Sequence, residues 1–302
     1  MVEGCVSMKK LKDKNLVITG AASGIGRSLA IGLAKEGMNL FISDINIQRL
    51  EKVKEEIEAL GIKVFTARCD VTKYEDVEKL AEIAQEKLGN IDMLINNAGI
   101  GSGAYAETME LEDWKRILDV NLWSIIYSIK VFLPIMLERG QGHFINTGSG
   151  AGIVGQPVHL DYCTSKFAVV GLSEALFSEV RDKGIHVSVI CPTIIKSNIM
   201  ERSEVRIPPE LMKSVSEAEL PEKEGRFKEE FWKEYSKKGL TPEKAAKKYI
   251  KGIKKQKLFI YDKSILRVAL FIKACFSSIY KRVLRQQGKE HEEIIKTALK
   301  NI

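Results

Sequence analysis

Short apolar, β-branched runs alternate with stretches of helical spacing through the first two-thirds of the chain. The runs occupy residues 15–20, 39–44, 63–67, 92–96, 143–147 and 186–191. They are continuously hydrophobic rather than alternating, which predicts strands covered on both faces. Between them apolar positions recur every three or four residues. In 48–60, for example, Leu50, Val53, Ile57 and Leu60 fall on one helical face. This order predicts an α/β fold, a doubly wound parallel sheet in a single domain spanning residues 11–262. Such sheets bind ligands at the carboxyl ends of their strands, so chemistry is expected just after each run.

Beyond Ser197 the pattern loosens. Residues 198–240 are charged, carry Pro208, Pro209 and Pro221, and hold scattered aromatics such as Phe227, Phe231 and Trp232. Their position predicts a mobile segment that covers a substrate. Thr241-Pro242-Glu243 is an N-cap followed by proline at the first helical position, opening a helix to about Lys255. Residues 258–261 make a last strand. Residues 1–10 lack the apolar stretch of a secretory signal and are expected to be a loose leader.

Residues 263–302 form a C-terminal helical extension. Within 263–287, Ile265, Leu270, Phe271, Phe276, Ile279 and Val283 are interleaved with Arg267, Lys281, Arg282 and Arg285, and the cations gather on about a third of the helical circumference. Charge interrupts the stretch too often for it to span a bilayer. Two readings stay open: a basic amphipathic helix lying on an anionic membrane surface, or one packed on its own domain or on a partner subunit.

Composition narrows the classes further. A chain of 302 residues, 45% hydrophobic, is able to bury a substantial core and is neither disordered nor fibrous. The net charge of +7 comes from the tail, where residues 241–302 carry sixteen Lys/Arg against five Asp/Glu, leaving a mildly acidic body. No nucleic-acid motif accompanies that charge, so no nucleic-acid partner is expected. Five cysteines without a CxxC pair, and four histidines of which His143 and His159 have no second ligand at a useful spacing, argue against disulfides and metal. A reducing, cytoplasmic setting follows.

After the first run comes Thr19-Gly20-Ala21-Ala22-Ser23-Gly24-Ile25-Gly26, leading into a helix near Ile25. Glycine permits a tight turn and a close approach of backbone to a pyrophosphate, whose charge the helix N-terminus meets. Such a turn also occurs as a plain tight connection; its strand–turn–helix setting favours the nucleotide. The second run ends in Asp44, where a carboxylate accepts from both ribose hydroxyls of an adenosine. It would repel a 2′-phosphate, and neither Ser23 nor Ile45 compensates, so NAD(H) is favoured over NADP(H). The competing reading is an aspartate that only caps the next helix.

Tyr162 and Lys166 are four apart in a helical pattern, so both emerge on one face. A nearby ammonium favours the phenolate and is expected to lower the tyrosine pKa from about 10, making Tyr162 a general acid/base. Ser149, just after the fifth run, is placed to hydrogen-bond the substrate oxygen as charge develops there.

With these residues and Asn96-Asn97-Ala98-Gly99 after the fourth run, the chain resembles the short-chain dehydrogenase/reductase family over about residues 11–197. The resemblance implies a Rossmann fold in which Gly20, Ser23, Gly24, Ile25 and Gly26 hold the cofactor diphosphate, Asp70 and Val71 contact the adenine, and Asn97, Ala98 and Gly99 line the ribose. It also implies that Asn121, in the helical stretch 114–123, holds a water that links Lys166 to solvent. After the sixth run the family carries Pro-Gly and then a threonine. Here Pro192 is kept, Thr193 replaces the glycine, and Ile195 and Ser197 remain to meet the nicotinamide ring and its carboxamide. Thr193 adds a Cβ facing the pocket, which puts substrate shape rather than cofactor binding in question. Family members form dimers or tetramers, so a homo-oligomer is expected.

The expected reaction passes a hydride between NAD(H) and a secondary alcohol or ketone, with Tyr162 exchanging the proton. Ile153, Val154, Val158, Ile194 and Ile199 suggest an apolar pocket and a lipophilic steroid, retinoid or long-chain substrate, with His159 within reach. Two alternatives remain: a β-ketoacyl thioester reductase using NADPH, against which Asp44 speaks, and a non-catalytic NAD(H)-sensing scaffold whose tail docks a membrane or partner, against which the Ser149, Tyr162 and Lys166 set speaks.

Overall fold

The computed structural model of the chain describes residues 10–197, 199, 203–206, 219–237 and 239–301. The expected leader, apart from Lys10, and most of 198–218, including Pro208 and Pro209, lie outside the described residues. Nine strands are assigned: β1 (Asn15–Thr19), β2 (Asn39–Asp44), β3 (Val64–Arg68), β4 (Met93–Asn96), β5 (Ser102–Ala104), β6 (Gly142–Thr147), β7 (Ile185–Cys191), β8 (Glu204–Arg206) and β9 (Phe259–Tyr261). Seven of them form one parallel sheet in the order β3-β2-β1-β4-β6-β7-β9, a doubly wound Rossmann arrangement whose order reverses between β1 and β4.

The continuous hydrophobicity of the runs has a direct cause. In β1, Leu16 and Ile18 enter a core shared with α1 (Gly24–Lys35), α2 (Ile47–Glu58) and α8 (Pro242–Lys254), while Val17 enters a second core. That second core packs against α3 (Tyr74–Leu88), α5 (Ser124–Glu138) and α6 (Leu160–Val180). Alternate residues of one strand thus feed opposite layers, and neither face is left for water. The α2 prediction needs one correction: Leu50, Val53 and Ile57 are buried, but the helix ends at Glu58 and Leu60 is 41% exposed. Thr241 caps α8 as expected, its Oγ1 accepting from the Lys244 N–H at 3.4 Å.

Two features were not expected. β5 and β8 pair in parallel as a separate two-stranded sheet, and within 198–240 the described residues include a seventeen-residue helix, α7 (Leu220–Ser236). The tail also differs from the single helix expected over 263–287. It is broken at Phe276 into α9 (Ile265–Cys275) and α10 (Ser277–Lys300). Leu266 of α9 enters a core with Ile153 and Val170, and Ile295 and Ala298 of α10 pack on Phe227 and Phe231 of α7. The remaining helix is α4 (Leu111–Leu118), which runs through a π-helical turn (Asp119–Trp123) into α5.

Candidate active site

At the end of β1 the chain turns at Gly20, whose φ of +65° lies in the left-handed region and where a Cβ would stand 2.7 Å from the Ala98 Cα. Only glycine lets this turn lie against the backbone that follows β4. Gly26 sits beneath it, against the Gly20 carbonyl and the Asn97 amide, with no space for a side chain. The Thr19 Oγ1 accepts from the N–H groups of Asn97 (3.2 Å) and Ala98 (3.3 Å), and Asn97 Nδ2 donates to the Gly20 carbonyl at 3.0 Å. Asn97 therefore stitches the two strand ends together at the switch point. Ser23 is the N-cap of α1 yet makes no side-chain bond to it, so the positive end of the helix faces a cavity.

Asp44 closes β2. It is buried, with Oδ2 accepting from the Ala22 N–H (3.1 Å) and Oδ1 from the Asn46 N–H (2.9 Å). The residue that caps α2 is Asn46, whose side chain accepts from the Arg49 N–H. Arg49 and Arg68 line the same end of the cavity, two cations that weighing Ser23 and Ile45 alone left out. Asp70 spends Oδ1 on the Thr72 N–H (3.1 Å) and hydroxyl (2.7 Å).

The four expected catalytic residues converge. α6 projects Tyr162 and Lys166 onto one face, with Lys166 Nζ 5.7 Å from the centre of the Tyr162 ring. Ser149 caps the 3-10 turn Gly150–Gly152, its Oγ accepting from the Ala151 N–H at 3.1 Å, and stands close enough to Tyr162 to pull its pKa down. Lys166 Nζ donates to the Thr147 carbonyl at 2.9 Å. Asn121 lies in the π-helical turn, a distortion that recurs at functional sites. Its side chain substitutes for a strand partner, taking the Ile100 N–H at 2.9 Å and donating to the Ile100 carbonyl at 3.0 Å. A Cβ on Gly99 would sit 3.2 Å from Asn121 Oδ1 and 3.6 Å from Lys166 Nζ, which places Gly99 between them.

The electrostatics correct one expectation. Burial raises the Tyr162 pKa above 10 and the neighbouring Ser149 pulls it partly back, so the net shift opposes the expected lowering by Lys166. Lys166 is itself desolvated, at 4% exposure, and its pKa falls to about 8. Desolvation of the phenolate is the dominant effect at Tyr162.

Three residues were missed. Asp161, in the first turn of α6, is fully buried; its Oδ1 accepts from Ser102 Oγ (2.5 Å) and from the Tyr162 N–H (2.7 Å), fixing where the helix that carries Tyr162 and Lys166 starts. Asp262, beyond β9, accepts from the Thr193 N–H (2.9 Å) and Oγ1 (2.5 Å). The hydroxyl that breaks the family pattern is a clamp. His291, on α10, has its ring 5.7 Å from that of His159, which lies 6.4 Å from Tyr162. His159 Nδ1 meets the Ser102 carbonyl at 2.5 Å; a carbonyl only accepts, so Nδ1 carries the proton. Burial lowers the His159 pKa and keeps the ring neutral.

One cavity of about 1300 Å³ joins these parts, running from Asp44 past Tyr162 to Ile272, Val283 and His291 of the tail. Every expected cofactor residue lines it except Gly26, which lies under the turn; Asn121 stands behind Lys166 rather than on the wall. Of the expected apolar lining, Val154, Ile194 and Ile199 are present. Ile153 is instead in the core below, and Val158 lines a small separate pocket with Phe227 and Phe231. His143 is a sheet-core residue, bonded to Ser188 Oγ at 2.8 Å and stripped of basicity by burial, its pKa near 3. Among the described residues no three metal-ligating side chains cluster. The glycine cradle that excludes a Cβ, the open end of α1 and the carboxylate of Asp44 follow one another along one wall, a fit to a dinucleotide.

Comparison with known proteins agrees with this geometry. The short chain dehydrogenase family model matches residues 14–206. The chain is 36% identical to a cyclohexanol dehydrogenase of an Acinetobacter strain over 66% of its own length and 80% of the relative's. It is 31% identical to human epidermal retinol dehydrogenase 2 over 88% of its own length and 79% of the relative's, a match that reaches past the family core. Among solved structures, a short chain dehydrogenase/reductase from Burkholderia phymatum in complex with NAD superimposes with a TM-score of 0.75 at 29% identity, covering 87% of this chain and 93% of that one. The chain belongs to the short-chain dehydrogenase family.

Proposed function

We propose that this protein interconverts a lipophilic secondary alcohol and its ketone with NAD(H). The observation that carries the reading is Tyr162, flanked by Ser149 and Lys166, on the wall of a cavity that starts at Asp44 and ends among apolar side chains of the tail. The glycine turn, the N-terminus of α1 and Asp44 would hold the dinucleotide, and a bound nicotinamide supplies or accepts the hydride. Tyr162 gives its proton to the ketone oxygen, or takes it from the alcohol. Ser149 orients that oxygen. Lys166, tied to Thr147, and Asn121 behind it support the proton's exchange with solvent.

A cyclohexanol dehydrogenase and a retinol dehydrogenase among the relatives favour an apolar substrate carrying a ring. The outer side of the tail supports the same choice. Ile265, Val268 and Val283 line the cavity and are also exposed, so its mouth opens on an apolar surface, and the exposed Arg267, Lys281, Arg282 and Arg285 flank it. We read that surface as the part that rests on an anionic membrane and takes up substrate there.

The test is turnover of a panel of cyclic ketones and alcohols by wild type and Tyr162→Phe, with NADH and NADPH binding measured beside it. Loss of turnover in the variant with retained NADH binding supports the reading. Equal turnover by the two proteins removes the mechanism, and nucleotide binding without turnover of any compound favours a sensor.

A further inference from the structure

Gln287 and His291 are four residues apart on α10 and face the cavity together. Gln287 Oε1 and His291 Nε2 are both buried, and neither has a hydrogen-bond partner among the described residues. His291 as a whole is 8% exposed. Unpaired buried polar atoms are uncommon because each forfeits its water without recompense. Here both belong to one cavity wall, to which the tail also contributes the apolar Leu266, Ile272 and Ile294 and the polar Tyr280 and Glu290. Nor are they loosely held. The His291 ring packs 5.5 Å from Tyr235 and 6.0 Å from Phe231, and the next turn of α10 is locked to α7 by Ile295.

We propose that Gln287 and His291 bind a second oxygen of the substrate, a hydroxyl remote from the carbon that reacts at Tyr162; this rests on the alcohol and ketone reading above. The amide oxygen of Gln287 only accepts. Burial and the neighbouring His159 bring the His291 pKa to about 4, so its ring is neutral, and Nε2 donates in the tautomer that carries the proton there. A hydroxyl answers both, giving its proton to Gln287 and taking one bond from His291. An ether or carbonyl would satisfy His291 alone. The His159 ring lies 5.7 Å from that of His291 and 6.4 Å from that of Tyr162, so the two oxygens of the substrate are held apart. The substrate class is an apolar cyclic hydroxyketone or the corresponding diol. The recognition comes from the C-terminal extension, beyond the residues matched by the family model.

Matched ketones with and without the distant hydroxyl test this on the full chain: cyclohexanone with 4-hydroxycyclohexanone, 2-decalone with 6-hydroxy-2-decalone, and androstan-17-one with its 3-hydroxy derivative. In at least one pair the hydroxylated member is expected to be preferred by about tenfold or more in kcat/KM, the worth of the paired hydrogen bonds. Gln287→Leu and His291→Phe are each expected to bring that ratio toward one. His291→Phe keeps a ring against Phe231 and Tyr235, and should it misfold, Gln287→Leu carries the test alone. Calorimetric binding of the hydroxylated compounds is measured on the same proteins. No preference in any pair, or a preference that survives both variants, overturns the proposal. If no compound is turned over but the variants lose binding of the hydroxylated members, the catalytic reading falls and the recognition site stands; if binding is also unchanged, both fall.

Discussion

Thr193 is gripped twice by Asp262, through its N–H at 2.9 Å and its hydroxyl at 2.5 Å, and this ties the loop after β7 to the end of β9. The same loop carries Pro192, Ile195 and Ser197 along the cavity, and Ser197 stands against Gly24 of the nucleotide turn. Asp262→Ala leaves two Thr193 donors unpaired near the protein interior, a cost of about 1–3 kcal/mol. The expected result is a lower melting temperature and a several-fold rise in the KM for cofactor, with a smaller change in kcat. Thr193→Val, which removes only the hydroxyl bond, is expected to fall between wild type and Asp262→Ala. Steady-state kinetics beside thermal melts check the order; a Thr193→Val protein indistinguishable from wild type would show that the hydroxyl holds nothing.

Ser149 beside Tyr162 sets a pH dependence whose sign is fixed. Burial raises the tyrosine pKa and Ser149 lowers it. Alcohol oxidation needs the phenolate and therefore rises with pH through the tyrosine pKa, whereas ketone reduction needs the phenol and declines over the same range. Removing the serine hydroxyl pushes the pKa higher. Ser149→Ala is expected to move both limbs to more alkaline pH and to slow turnover on the order of a hundredfold. Limbs that stay in place while the rate drops would assign Ser149 to the substrate alone.

These effects rest on residues of unequal legibility. The strands and the Gly20 turn could be read from sequence because their signals are local: a run buried on both sides has no polar alternation to hide it, and a left-handed φ selects glycine. Tyr162 and Lys166 are local too, four apart on one helix. Asp161, Asp262 and His291 act through partners 59 to 132 residues away, at Ser102, Thr193 and His159, and no spacing rule reaches that far. The break at Phe276 was equally hidden, since no proline or glycine marks it; backbone angles of −136° and 69° there turn one amphipathic stretch into two helices. β5 and β8, three residues each, are too short for periodicity to register.

On the proposed reading Asp44 governs the choice of nucleotide. Its two oxygens already accept the N–H groups of Ala22 and Asn46, so the carboxylate is held in place at the end of β2. With it present, a 2′-phosphate meets like charge. Asp44→Ser removes the repulsion and leaves Arg49 and Arg68 at the same end of the cavity. The ratio of NADH to NADPH affinity is expected to fall by ten- to a hundredfold, about 1.4–2.8 kcal/mol. An unchanged ratio, measured by titration of each nucleotide, would place the ribose away from Asp44.

Lys166 makes stability rise with alkalinity. Its pKa falls from 10.5 unfolded to about 8 folded, so between those values the unfolded chain binds more protons. Below pH 8 the charged amine costs the native state roughly 3 kcal/mol, partly offset by the bond to Thr147, and the cost fades as pH climbs toward 10.5. Lys166→Met, though inactive, is expected to be more stable than wild type at pH 7 and to lose that advantage by pH 10. Urea melts at the two pH values decide it, and a pH-independent difference would mean that Lys166 titrates normally.

The tail has two sides with separate tests. Its inner side closes the cavity with Ile272, Gln287 and His291, so deleting everything after Lys263 would open the active site and confuse membrane binding with damage to the fold. The outer side offers cleaner targets. Phe271 is 60% exposed and Ile279 49% exposed, and neither lines the cavity. If this face rests on lipid, the intact chain floats with vesicles of phosphatidylcholine and phosphatidylserine but less with phosphatidylcholine alone, and half-molar salt weakens it, each basic residue near the surface being worth about 1 kcal/mol. Phe271→Ser with Ile279→Ser is expected to abolish flotation while leaving the turnover of a water-soluble ketone within twofold. Intact protein that never floats discards the membrane reading. Light scattering on the same pair of proteins then shows whether a second copy covers the face instead, because only in that case does the double variant lower the oligomeric state.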